Sequence, residues 1–186
     1  MGLNINNIWF TADTHWGHRN IIQFCNRPFE NVMEMDSILI ENWNKKIKPD
    51  DIVYHLGDFS MGNIKRYRLQ LNGKIILIYG SHDKEALKHP YLFEEICPLK
   101  TIRIDENYIV LCHYAMRVWD HSHYGAYMAY GHSHGRLPSY GKSMDVGVDC
   151  HNYFPISYDE FVLKIKKLEN NHDLVSKEER LICHAN

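Results

Sequence analysis

Five short segments of the chain carry side chains that bind metal ions or transfer protons, and each follows a run of apolar residues. The segments are Asp13-Thr14-His15, Gly57-Asp58, Gly80-Ser81-His82-Asp83, His113 and Gly131-His132-Ser133-His134. Apolar runs of this length are typical of strands buried on both faces. Because ligands in open α/β sheets bind beyond the carboxyl ends of the strands, we expect the five segments to meet at one site.

The types of these side chains indicate the chemistry of the site. Carboxylates together with imidazoles suit zinc, manganese or iron, whereas calcium prefers oxygen ligands alone. In Asp13-x-His15 both side chains lie on the same side of an extended segment and can bind one ion. A carboxylate such as Asp58 can bridge two ions. Two ions about 3.5–4 Å apart can hold a hydroxide and polarise a phosphoryl group, as in in-line phosphate hydrolysis.

Each segment has a simpler explanation when it is taken alone. Asp-x-His occurs by chance in many proteins, Gly-Asp is most often a turn, and Gly-His-Ser-His also suits a solvated loop. The ordered set is more informative, because each member follows a predicted strand. The chain also has 13 histidines among 186 residues, an excess that favours metal binding or proton transfer.

The elements that would position these segments follow from the hydrophobic pattern. The predicted strands are Ile8 to Ala12, Ile52 to Tyr54, Ile75 to Tyr79, Ile109 to Cys112 and Met128 to Tyr130. The predicted helices are Met35 to Ile47, Ile64 to Leu71 and Tyr158 to Leu168, the last with Ser157 and Glu160 as a capping box. Helices between the first strands, followed by crowded strands at 99–150, predict an α/β sandwich. We expect one domain, 1–186, with a polar tail at about 170–186.

Composition excludes several classes of protein. With 45% hydrophobic residues and a formal net charge of −2, the chain is neither disordered nor a strongly basic nucleic-acid binder. The five cysteines form no C-x-x-C pair, which argues against a zinc ribbon and a disulfide framework. No apolar stretch is long enough to cross a membrane. We therefore expect a cytoplasmic protein with no membrane partner.

Taken in order, the five segments resemble the signature of the calcineurin-like metallophosphoesterase superfamily. The opening from Phe10 to Ile22 is similar to the small single-domain branch found in bacteria and phages. The resemblance extends from about residue 7 to 165. It implies a four-layer α/β/β/α sandwich with a two-metal centre between the sheets, at the carboxyl ends of the strands.

The resemblance also implies a role for each residue of the segments. The ligands of one metal would be Asp13, His15, Asp58 and His134. The ligands of the second metal would be Asp58, Ser81, His113 and His132. His82 would give a proton to the leaving oxygen or stabilise the charge of the transition state, and Asp83 would orient and polarise its imidazole.

Position 81 departs from the family pattern. The family motif is Gly-Asn-His followed by Asp or Glu, and the Asn carbonyl ligates the second metal, whereas this chain has Ser81. A hydroxyl is shorter and a poorer neutral donor than an amide carbonyl. We therefore expect the second metal to bind more weakly, with little effect on the first.

Candidate substrate contacts lie near the ligand segments. Residues 114–130 join two of these segments, and their aromatic residues, with Arg117 and His123, could stack a base and contact a phosphate. A packed surface loop explains this stretch equally well. His18 and Arg19 follow the first ligand pair and are further candidates for phosphate contacts, although a surface turn is the simpler explanation.

The sequence thus predicts a divalent-metal-dependent phosphoesterase that uses a metal-activated hydroxide, with phosphodiesters favoured over monoesters. Its cofactors would be two divalent ions of manganese, zinc, iron or nickel, and its substrate a phosphate ester, such as a nucleotide or short nucleic acid. The alternative is a metal-binding interaction module of the same fold with weakened or lost catalysis. Ser81 favours that alternative, and the pair His82-Asp83 opposes it. A zinc hydrolase of the β-lactamase type is not favoured, because the chain has no His-x-His-x-Asp-His run.

Overall fold

Two β-sheets packed face to face form the centre of the molecule in the computed structural model, which describes residues 7–171. The first sheet contains, in spatial order, β4 (Glu95–Cys97), β3 (Lys74–Ile78), β2 (Ile52–His55), β1 (Ile8–Thr11) and β9 (Ile156–Ser157). Its strands are parallel except for β9. The second contains β5 (Leu99–Ile104), β6 (Asn107–Cys112), β7 (Tyr127–Tyr130) and β8 (Ser143–Asp145). Here β5 and β6 are antiparallel, and β6, β7 and β8 are parallel.

Three of the five α-helices within residues 7–171 begin at a residue whose side chain caps the helix. The five helices are α1 (Ile21–Phe24), α2 (Val32–Lys46), α3 (Ile64–Arg68), α4 (Lys84–Lys88) and α5 (Tyr158–Ile165). Asn31 caps α2, because its side-chain oxygen accepts hydrogen bonds from the amides of Met33 and Glu34, both at 3.0 Å. The predicted capping box of Ser157 and Glu160 at the start of α5 is confirmed.

Alternation along the strands decides what each side of a sheet contacts. Ile109 and Leu111 of β6 point into the core between the sheets, together with Phe10 of β1 and Phe161 of α5. The opposite face of the first sheet is covered by α1 to α4, where Trp43 of α2 is buried. Both faces of the first sheet are therefore apolar, as its continuous hydrophobic runs predict.

The outer face of the second sheet is covered by a loop. Trp119, from the loop 113–126, packs on Val110 and Met128, and its indole N–H donates to the carbonyl of Ala126 at 3.0 Å. This loop contains a 3₁₀ turn, Ser122–Tyr124, and no α-helix. The predicted α/β sandwich is confirmed, but in the described residues its fourth layer is this loop rather than a helical layer.

Predicted and observed elements agree best where apolar periodicity is strong. Each predicted strand starts and ends within two residues of an observed one, whereas the short strands β4, β8 and β9 carry too few apolar residues to be recognised. Within residues 7–171, no helix combines the length and apolar character needed to cross a bilayer. Most of the predicted polar tail, 170–186, lies outside the described residues, and the single-domain assignment of 1–186 stays a prediction.

Replacing Phe161 with Ala should strongly destabilise the fold, because the fully buried ring packs on Phe10 at a centroid distance of 4.9 Å. We expect the free energy of unfolding in urea to fall by about 3–5 kcal/mol. Leu163 on the same helix is 65% exposed, so Leu163→Ala should change it by about 0.5 kcal/mol or less. Equal losses for the two variants would contradict the assignment of Phe161 to the core between the sheets.

Candidate metal centre

The carboxyl ends of five strands meet at one edge of the sandwich. β1, β2 and β3 are parallel neighbours in one sheet, and β6 and β7 are parallel in the other. Hydrogen bonds join the loops that follow them, since the amide of His132 donates to Asp13 Oδ2 at 2.8 Å and the amide of Gly131 donates to the carbonyl of His113 at 3.0 Å. The structure therefore brings the five predicted segments together across more than a hundred residues of sequence.

Two groups of potential metal ligands lie side by side at this edge. In each group the ligand atoms lie within 4.8 Å of one another, and the groups are Asp13, His15 and His134, and Asp58, His113 and His132. Asp58 connects them, because its Oδ2 lies 3.6 Å from His15 Nε2 and 3.5 Å from His113 Nε2. This is the arrangement expected for two ions that share Asp58.

The buried polar atoms of the site suit a metal ion. His15 Nε2 and His113 Nε2 are both buried and have no hydrogen-bond partner in the structure. Leaving such an atom unsatisfied costs about 1–3 kcal/mol. Burial also raises the pKa of Asp13 to about 7 against the opposing influence of nearby His134 and His113. A divalent cation would give both nitrogens a partner and favour the ionised carboxylate, so these residues fit such an ion.

The backbone of the ligands is unusual. The ligand residues with a positive φ of 49–67° are Asp13, His15, Asp58, His132 and His134. Residues with a Cβ rarely adopt this left-handed conformation. Hydrogen bonds between loops hold it, since the amide of Asp13 donates to the carbonyl of Gly57 and that of His15 to the carbonyl of Asp58, both at 3.0 Å. These turns place side chains from different loops at one point.

Two glycines allow the loops to approach the ligands closely. A Cβ at Gly80 would lie 2.5 Å from Asp58 Oδ1 and 2.7 Å from His113 Nε2. A Cβ at Gly131 would lie 2.8 Å from Asp13 Oδ2. Any larger residue at these positions would push a ligand out of place, which explains why the motifs Gly-Ser-His-Asp and Gly-His-Ser-His begin with glycine.

Hydrogen bonds from the other ring nitrogen orient two of the histidines. His113 Nδ1 donates to the carbonyl of Leu56 at 2.7 Å, which leaves Nε2 facing Asp58. His134 Nδ1 donates to Asp149 Oδ2 at 2.7 Å, and Arg27 pairs with the same carboxylate. The sequence analysis missed Asp149 and Arg27. Asp149 follows β8 closely, so the strand-end rule would have found it had that short strand been recognised.

His82 lies at the mouth of the site. Its side chain is 43% exposed, and its Nε2 lies 4.0 Å from Asp58 Oδ2. Its ring meets that of His15 edge-on at a centroid distance of 5.5 Å. An exposed imidazole beside the ligands is in position to exchange a proton with a bound substrate.

Asp83 does not orient His82. Its buried carboxylate accepts three backbone hydrogen bonds, from the amides of Asp58 and Gly80 at 2.7 Å and from that of Phe59 at 2.8 Å. Neither these hydrogen bonds nor any other in the described residues joins Asp83 to the imidazole of His82, so the structure does not show the predicted polarisation. Asp83 instead ties the loop after β3 to the loop after β2. Adjacent residues in a tight turn direct their side chains differently, and sequence adjacency misled the prediction.

The remaining candidates fall in different places. His18 joins the site, because its Nδ1 lies 3.4 Å from His15 Nδ1. Ser81 is exposed, in the turn that follows β3. Exposed Arg19 lines a groove of about 390 Å³ beside α1 and the start of α2, and no predicted ligand lines that groove.

The loop 113–126 meets the site through a residue that the sequence analysis did not single out. The ring of Tyr114 lies 4.8 Å from that of His113 and 4.9 Å from that of His132. Arg117 lines an apolar groove of about 340 Å³, and His123 stacks on Tyr124 at 4.1 Å. Among the described residues, neither Arg117 nor His123 makes a hydrogen bond, ion pair or ring contact with a predicted ligand.

Replacing Asp83 with Asn should destabilise the protein and loosen the loop that carries Asp58. The new amide group would face backbone N–H donors, so one or more buried amides would lose their acceptor. We expect the free energy of unfolding to fall by about 1–3 kcal/mol in urea titrations without added metal. The control is Asp50→Asn, because the Asp50 side chain is 92% exposed. A loss for Asp83→Asn no larger than the control's would contradict the structural role of Asp83.

Comparison with known proteins finds relatives along most of the chain. No family model matches it. The "Uncharacterized protein MJ1445" of Methanocaldococcus jannaschii is 34% identical over 177 residues, which cover 89% of this chain and 94% of the relative. The "Gene 66 protein" of Mycobacterium phage L5 is 35% identical over 85 residues, 42% of this chain and 41% of the phage protein.

A solved structure shares the fold. A protein of unknown function, AQ665 from Aquifex aeolicus, superposes with a TM-score of 0.65 at 26% identity and covers 86% of this chain and 97% of its own. A novel archaeal phosphodiesterase superposes more weakly, with a TM-score of 0.45 at 22% identity over 75% of this chain and 81% of that one.

Proposed function

We propose that this chain, which belongs to the family of the Methanocaldococcus jannaschii protein MJ1445, is a divalent-metal-dependent phosphoesterase of the calcineurin-like superfamily that hydrolyses phosphodiesters in preference to monoesters. The observation that carries this proposal is the position of Asp58 between two buried histidine nitrogens without partners. A carboxylate so placed is suited to bridging two cations.

The proposed ligands divide into two sets. Asp13, His15, Asp58 and His134 would hold the first ion, and Asp58, His113 and His132 the second. Two such ions, of manganese, zinc, iron or nickel, would polarise the phosphoryl oxygens and activate water for in-line attack. The four cysteines within the described residues, Cys25, Cys97, Cys112 and Cys150, form no disulfide, which supports the proposal of a reducing, cytoplasmic location.

The chain's own residues supply the rest of the proposed chemistry. His82, exposed at the mouth, gives a proton to the leaving oxygen, and His18 faces the same space beside His15. Tyr114 borders the second ligand set and is placed to contact the ester group that departs. The substrate that we propose is a phosphate ester, such as a nucleotide or a short nucleic acid.

Replacing His82 with Ala should reduce kcat by about 10²–10⁴-fold on a dinucleotide, whose alkoxide leaving group needs a proton. The reduction should be smaller on bis-p-nitrophenyl phosphate, because its leaving group departs readily without one. Rates are measured with manganese at equal metal loading. His89→Ala serves as the control, because His89 pairs with Glu85 and packs on Tyr91, away from the predicted ligands. Equal rates for wild type and His82→Ala on the dinucleotide would overturn the assignment of His82.

A second candidate function is a metal-binding interaction module with weakened catalysis, and the exposed Ser81, where the resembled family has an Asn ligand, favours it. Replacing Ser81 with Asn should tighten manganese binding at the second site in a calorimetric titration, because the amide carbonyl is a longer and better donor. Ser81→Ala should change both affinities little, since a neutral hydroxyl is a poor metal donor. Unchanged second-site affinity in Ser81→Asn would refute the explanation that Ser81 weakens the site.

A further inference from the structure

A buried arginine connects the segment that carries Asp13 to the segment that carries His134. The side chain of Arg27 has no solvent exposure. Its guanidinium donates to both oxygens of Asp149, each at 2.8 Å, to the carbonyl of Asp13 at 2.7 Å and to the carbonyl of Thr14 at 3.1 Å. A fifth N–H faces the sulfur of Met35 at 3.5 Å. All five donors of the guanidinium are therefore used, which is the condition for burying its charge.

Asp149 connects Arg27 to the proposed ligand His134. Its Oδ2 accepts the hydrogen bond from His134 Nδ1 at 2.7 Å, and the carboxylate is almost fully buried, with 8% of its side chain exposed. A histidine whose Nδ1 donates to a carboxylate keeps Nε2 free for an ion and becomes a more basic ligand. Arg27 thereby fixes two of the three residues in the group of Asp13, His15 and His134.

The same carboxylate also lies near Cys25, and Cys25, His134 and Asp149 form a third group with metal-ligand spacing. Two observations argue against an ion there. Both oxygens of Asp149 already accept hydrogen bonds from Arg27, and the guanidinium charge beside them repels a cation. Asp149 is better explained as the partner of His134 than as a ligand.

We propose that Arg27 and Asp149 are positioning residues that set the affinity of the first metal site. Arg27 holds the carbonyls of the left-handed turn at Asp13, and Asp149 holds the ring of His134, so the ligands keep their spacing before an ion arrives. This inference rests on the metal sites of the proposed function. It concerns binding at the first site, and the second site, with His113 and His132, has no contact with the Arg27–Asp149 pair in the described residues.

The experiment compares Arg27→Lys and Asp149→Asn with Arg68→Lys in the full chain. Lysine keeps the charge at position 27 but cannot bind a carboxylate with two parallel hydrogen bonds. Asparagine keeps the shape of Asp149 but lacks its charge. Arg68 is the matched control, because like Arg27 it donates to backbone carbonyls, here those of Leu92, Leu71 and Gly73, and none of these belongs to the metal centre.

Manganese titration by calorimetry should show first-site affinity about 10–100-fold weaker in Arg27→Lys and Asp149→Asn, with second-site affinity near that of wild type. The optical spectrum of bound cobalt should change at the first site, because its bands report ligand geometry. Arg68→Lys should lower the thermal unfolding temperature while leaving metal affinities and the cobalt spectrum as in wild type. Thermal unfolding without metal identifies the variants that fold, and only those variants are titrated. Because the two substitutions change opposite ends of the same ion pair, one folded variant is enough to test the inference.

Wild-type affinity and an unchanged cobalt spectrum in a folded Arg27→Lys or Asp149→Asn protein would overturn the inference. Hydrolysis is measured separately. If wild type binds two ions but cleaves no phosphate ester, the proposed function fails while the affinity comparison still decides the role of Arg27 and Asp149. If wild type cleaves diesters and the variants bind manganese normally, the inference alone fails. A wild-type protein that binds no divalent metal would overturn both.

Discussion

Directing a side chain back over the end of its own strand requires a sharp reversal of the backbone, and here that reversal uses positive φ angles. Asp13, His15, Asp58, His132 and His134 all adopt them, although each has a Cβ that disfavours this conformation. Conformations of this kind cost of order 1–3 kcal/mol each and persist only where the surrounding structure holds them. That support comes from the parallel strands, the hydrogen bonds between loops and the glycines that approach the ligands closely. The two sheets and their loops therefore stabilise these turns.

Charge imposes a second constraint at the same edge. Asp13 and Asp58 are buried side by side, and the cation of Arg27 contacts the carbonyl of Asp13 rather than its carboxylate. Burial opposes ionisation of Asp58, but His113, the amide of His82 and His15 outweigh it and lower its pKa. Asp13 lacks comparable support, and burial raises its pKa. The two carboxylates therefore differ in pKa, and a nearby cation would favour the ionised form of Asp13 more than that of Asp58.

Much of the site could be predicted from the sequence, because its ligands follow recognisable strands and the order of types is distinctive. The parts that escaped prediction depend on contacts with no local signature. Arg27 lies in a loop with no periodic pattern, and its partner Asp149 is 122 residues away. Asp83 follows His82 directly, yet its carboxylate binds amides of other loops. For residues 114–130 the sequence left a packed surface loop and a substrate contact as equal alternatives, and Trp119 anchors the loop part of this stretch on the second sheet.

The first ligand group draws its donors from both halves of the chain. It takes two residues from the loop after β1 and one from the loop after β7, so neither half of the chain can form it alone. The apolar core between the two sheets holds these loops together, and both buried nitrogens, His15 Nε2 and His113 Nε2, lie within 3.6 Å of Asp58 Oδ2. Under the proposed function, the affinity for a cation would depend on Arg27 and the glycine turns as well as on the ligands themselves.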